Sequence, residues 1–172
     1  MISVKMLAPK SLIVFLVVIL AYIYLFNYRN NIPLDLGTVG SDFKIKTLDN
    51  KSFNLYDIHI NKAIIFFKNN TFYSRHYLQF IQELKEINKN GSTFIILLLY
   101  GPQDANKMSS LLLNNKDLSN LKDIIYLANV KEVAKQYGVK SWPHFYLLNK
   151  DNIVIYRAKT PSINKISIFL RG

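Results

Sequence analysis

Tyr137-Gly138-Val139-Lys140-Ser141-Trp142-Pro143-His144-Phe145-Tyr146-Leu147-Leu148 decides the reading of this chain. Gly138 stops the helical pattern of Val130 to Tyr137, because glycine enters the left-handed C-cap conformation without steric cost. Phe145 to Leu148 is an apolar run of strand length. The turn Asn149-Lys150-Asp151-Asn152 then predicts Ile153 to Arg157 as an antiparallel partner.

Upstream, Phe43 to Leu48 and Ser52 to Leu55 alternate around Asp49-Asn50-Lys51, which reads as a small hairpin. Ala63 to Phe67 and Phe94 to Tyr100 are continuous apolar runs, the sign of strands buried on both faces. Between them Tyr73, Tyr77, Phe80, Ile81, Leu84 and Ile87 keep helical spacing, with Thr71 as the N-cap candidate. Asp104 to Leu113 predicts a helix, Ile124 to Leu127 a short strand, and Ser162 to Leu170 a closing helix. The order implies an α/β domain over residues 42–172, a mixed central sheet flanked by helices on both faces.

Leu12 to Phe26 is unbroken apolar. Extended to 11–28 it reaches about 27 Å as a helix, close to the ~30 Å hydrocarbon thickness, with Tyr22, Tyr24 and Tyr28 at an interfacial level. Residues 1–29 are therefore expected to be a signal anchor. A cleaved signal peptide is the alternative, although no small-x-small site follows Phe26. Lys5 and Lys10 precede the helix and Arg29 follows it, which predicts the N-terminus inside and the domain outside. Residues 30–41 read as a linker.

The 172 residues carry 22 basic and 11 acidic side chains, a net +11. The lysines are scattered singly rather than grouped into a nucleic-acid arm, so a solvated basic surface is expected and no nucleic-acid partner. Cysteine is absent, which excludes disulfides, thiolate metal sites and cysteine nucleophiles within these residues.

The motifs together resemble the membrane-anchored thioredoxin-like proteins of the TlpA/ResA and redoxin type, over about residues 42 to 160. Asn61-Lys62 followed by Ala63-Ile64-Ile65-Phe66-Phe67 matches the strand before that family's Cys-x-x-Cys motif. The stretch 137–148 matches its later motif, in which the proline is cis. The resemblance implies a thioredoxin-like fold, and relatives that are thiol-disulfide oxidoreductases in cytochrome c maturation or envelope protein folding. It aligns the two active-site cysteines with Thr71 and Ser74, and the buried acid of many relatives with Ile65. Disulfide exchange requires a thiolate, and neither hydroxyl can replace it, so no catalytic residue or cofactor is expected.

Two other chemistries fit the sequence poorly. Thr71 or Ser74 with His76 makes a poor hydrolytic pair, because residues two apart on a helix do not share a face. His76 and His144, facing each other across a cleft with no carboxylate between them, would make a weak metal site, and His59 adds nothing to it. No metal is expected. Trp142 carries more weight. In the family the residue before the cis proline offers its backbone to an extended client. With Phe72, Tyr73, Pro143 and His144, Trp142 forms either an aromatic groove for a protein or peptide client or a plug that fills the vacated cleft. The expectation is a non-catalytic binding or assembly protein, single-pass in the inner (plasma) membrane with a periplasmic domain. The alternatives are an oxidoreductase paralogue working through a cysteine-bearing partner, and a decayed paralogue.

Overall fold

The computed structural model describes residues 9–29, 33–68, 74–101 and 104–170, with side chains in the first helix from Ile13 to Tyr24. Helix α1 (Pro9–Arg29) is followed by the hairpin β1 (Lys44–Lys46) and β2 (Ser52–Asn54), then β3 (Asn61–Phe67), α2 (Ser74–Ile87), β4 (Thr93–Leu99), α3 (Ala105–Leu113) and α4 (Lys116–Ser119). The chain continues through β5 (Ile125–Tyr126), α5 (Val130–Gln136), β6 (His144–Leu148), β7 (Val154–Ala158) and α6 (Ile163–Leu170).

The main sheet runs β5-β4-β3-β6-β7. β3 pairs parallel with β4 and antiparallel with β6, so the sheet is mixed as expected. The apolar runs of β3 and β4 are explained by their position in its centre. Ala63, Ile65 and Phe67 enter one core layer with Ile95, Leu97, Leu99 and the apolar faces of α2, α3 and α6. Ile64 and Phe66 enter the other with Ile96, Leu98, the hairpin residue Ile45 and Val133, Ala134 and Tyr137 of the α5 segment. Side chains alternate along a strand, so a strand covered on both faces is apolar at consecutive positions, as at Ala63 to Phe67 and Phe94 to Leu99.

The local ends follow from their sequences. Asp104 accepts from the amides of Asn106 and Lys107 at the start of α3, and Gly138 takes φ +64° just after α5. Trp142-Pro143 is cis, as the family resemblance implies.

Residues 33–41, expected to be linker, lie along the outer edge of β7 as a strap. Gly37 donates to the Val154 carbonyl, Val154 to that of Thr38, and Gly40 to that of Asn152. Gly40 is required for this approach: a Cβ there would sit 2.5 Å from Leu148 Cδ2 and 2.9 Å from the Tyr137 hydroxyl. Arg157 fixes the start of the strap by donating to the carbonyls of Pro33 (2.8 Å) and Leu34 (3.0 Å) and pairing with Asp35 (2.9 Å).

All side chains from Ile13 to Tyr24 of α1 are exposed, and all are apolar or aromatic. Among the described residues, no helix is long and apolar enough to cross a membrane. The expected span 11–28 includes positions at both ends whose side chains lie outside the described residues.

Candidate functional site

The C-terminal ends of β3 and β4 meet the cis proline at the point where connections leave the sheet in different directions, the usual place for a crevice in an open α/β sheet. Phe66 pairs with His144 at that level. Trp142 is half-buried there. Its ring meets Phe66 edge-on (centroids 5.9 Å) and Tyr100 at a tilt (5.2 Å). Tyr100, just past β4, is 46% exposed, and the Lys68 ammonium lies 5.3 Å from its ring centroid. Such a cation is attracted to the ring face. Among the described residues, neither the amide nor the carbonyl of Trp142 has a hydrogen-bond partner. The surface at this end of the sheet is thus two aromatic rings beside the amide and carbonyl of Trp142, unpaired among the described residues.

Of the residues predicted for this site, Trp142, Pro143 and His144 are brought together. Thr71, Phe72 and Tyr73 lie outside the described residues, and Ser74 opens α2 without a described side chain. Tyr100 and Lys68 escaped the sequence reading. Their only signal is position, Lys68 directly after the apolar run of β3 and Tyr100 directly before Gly101-Pro102.

His144 differs from its expected place at a cleft edge. It is 3% exposed, stacks on Tyr146 (5.0 Å), and neither ring nitrogen has a partner among the described residues. Burial, with Lys159 and Arg157 nearby, pushes its pKa down to about 4, so the ring is neutral at physiological pH. The neighbouring Ser141 hydroxyl is also buried without a partner among the described residues. Tyr146 donates to the Tyr137 carbonyl at 2.6 Å, and burial raises its pKa to about 12.

His76 and His144 do not face each other. His76 is exposed on α2 beside Gln79, Phe80 and Pro161, on the α6 side of the sheet, whereas His144 stacks within the opposite layer. The two histidines straddle the sheet because α2 packs on one face and the even-numbered residues of β6 point to the other. Among the described residues, no three His, Asp or Glu side chains converge as a metal group would require. Ile65, at the position of the family's buried acid, is fully buried in the α2 layer. The arrangement offers an apolar contact surface with a backbone donor and acceptor.

No protein-family model matches the chain, and no curated protein sequence matches it. Solved structures do. A thiol:disulfide interchange protein from Bacteroides sp. superposes with TM-score 0.65 at 16% identity, covering 81% of this chain and 92% of that one. The thioredoxin domain of a thiol-disulfide oxidoreductase from Bacteroides vulgatus gives 0.61 at 15%, covering 80% and 99%. StoA from Bacillus subtilis gives 0.59 at 15%, covering 78% and 98%. At these identities the likeness establishes the fold, which is thioredoxin-like, in a chain without cysteine.

Proposed function

We propose that this chain is a thioredoxin-like docking protein, tethered to a bacterial inner membrane by α1, that holds an extended polypeptide client beside Trp142-Pro143 and transfers no electrons. One observation carries the reading: Trp142, the residue before the cis proline, has an amide and a carbonyl that find no partner among the described residues, with exposed aromatic surface around them, in a chain without a thiol. Main-chain pairing would give affinity, and the rings of Trp142 and Tyr100 would select an apolar or aromatic side chain. Support for the tether comes from α1, whose side chains from Ile13 to Tyr24 are exposed and apolar or aromatic throughout. Burying each large one is worth about 1.5–3 kcal/mol, so the helix needs an apolar surrounding. The family resemblance adds an extracytoplasmic domain and a role in cytochrome c maturation or envelope protein folding.

Trp142 is the single tryptophan of the chain, so its emission reports directly on the crevice. Titration with an extended peptide of β-branched residues around one phenylalanine is expected to shift that emission saturably. Competition with a labelled copy should show Trp142→Ala weakening binding at least about tenfold, a loss of about 1.4 kcal/mol. Equal binding by wild type and Trp142→Ala identifies the ring as a plug and removes the proposal. Insulin reduction is expected to stay at background; turnover by the purified chain would refute the non-catalytic part.

A further inference from the structure

The strap along β7 gives the crevice a direction. It runs antiparallel to β7, from Pro33 and Leu34 at Arg157 to Gly40 at Asn152. Arg157 pairs with Tyr146, Ala158 with Phe145, and His144 with Phe66. The chain therefore enters the domain at the same end of the sheet that carries Trp142 and Pro143, and leaves the strap at the far end. Leu34 packs in the layer that Trp142 also contacts.

Four Cα–Cα steps separate Arg29, the last residue of α1, from Pro33, so the two are at most about 14 Å apart. From Arg157, three residues of strand rise take the sheet to the level of the cis proline, roughly 10 Å. A free tether over 30–41 would let the domain turn in any direction; a strap held at both ends does not. Exposed Lys140 and Lys159 flank this end of the sheet, in keeping with an anionic headgroup surface.

We infer that the crevice is held facing the bilayer, so that its client is the extended juxtamembrane segment of another protein in the same membrane. The inference rests on the tether and crevice proposed above. A soluble chain would have to reach into the gap between domain and lipid, whereas a segment leaving the bilayer is presented there at high effective concentration.

The full chain is reconstituted in vesicles with dansyl-headgroup lipid, and flotation after an alkaline wash reports on the tether. Energy transfer from Trp142 to the dansyl groups is expected in the wild type. Insertion of a Gly/Ser spacer of about twenty residues between Asn31 and Ile32 should abolish it. The phenylalanine-centred peptide is then displayed on lipid anchors, either about four or about forty residues from the headgroup, with a photo-crosslinker in place of Tyr100. The short display is expected to crosslink at least about tenfold more, and the spacer insertion should erase that preference. A floating chain whose transfer ignores the spacer, or which crosslinks both displays equally, overturns the inference and leaves the crevice reading standing. Failure to crosslink either display removes the crevice reading, and failure to float removes the tether; the inference falls with each.

Discussion

Acidification should destabilise this domain through one side chain. His144 is buried against Tyr146 with both ring nitrogens unpartnered among the described residues, and Lys159 and Arg157 lie close enough to oppose a further positive charge. Its folded pKa of about 4 lies below the ordinary 6.5. Between these values the unfolded chain binds the proton and the folded chain does not. The associated stability is therefore complete above pH 6.5, falls as pH drops towards 4, and changes no further below it. At about 1.4 kcal/mol per pH decade the whole interval amounts to about 3 kcal/mol, of which about 2 kcal/mol is lost by about pH 5. His144→Phe keeps an aromatic ring against Tyr146 and removes the titration. Urea unfolding of both proteins at about pH 7.5 and 5 should show the wild type losing about 2 kcal/mol more than the variant. An NMR titration should place the His144 ring near pH 4. An imidazole titrating near 6.5, or a variant with the wild-type pH slope, would refute the reasoning.

Three further outcomes follow from packing. Gly40→Ala puts a methyl against Leu148 and the Tyr137 hydroxyl; it should cost about 1–3 kcal/mol by denaturation and accelerate amide exchange at Gly37, Gly40 and Val154. Lys62 is fully buried, and its ammonium reaches the carbonyls of Asn149 and Lys150 only at 3.4 and 3.3 Å. Burial lowers its pKa, so Lys62→Met should leave the urea midpoint equal or higher, and a clear fall would show that those two contacts matter more than desolvation. Ile65→Glu, which puts a carboxyl inside the α2 layer, should destabilise by about 3–5 kcal/mol at neutral pH and recover part of the loss as the carboxyl is protonated in acid.

The sheet could be read from sequence because burial on both faces leaves a plain mark. Past their first residues β3 and β4 run apolar without interruption, from Ala63 to Phe67 and from Phe94 to Leu99, and β6–β7 are joined by a four-residue turn of Asn, Lys and Asp. Short pieces such as α4 left no periodicity to detect. The strap was hidden for a different reason: Pro33, Gly37 and Gly40 have linker composition, and only three-dimensional packing reveals that Gly40 lacks a side chain because Leu148 occupies the space. At the crevice, Trp142 and Pro143 were found through a motif. Tyr100 was not, since an aromatic residue ending an apolar run looks the same in a core as at an opening. His144 was misplaced because a histidine next to a turn proline gives no sequence sign of which way the following strand directs it.

The strap has a second consequence, for the borders of the sheet. An exposed strand edge is a template on which any extended chain can add itself. Here the strap pairs by backbone with residues 152–154, at the start of β7, and Arg157 holds Pro33 and Leu34 near its other end. At the other border β5 is only two residues long, and a bridge from Lys46 to Leu127 continues its line. Strand addition is limited at β5 by its length and at β7 by the strap seated on its start. For the client proposed above, main-chain recognition is thereby biased away from indiscriminate strand addition and towards the amide and carbonyl of Trp142.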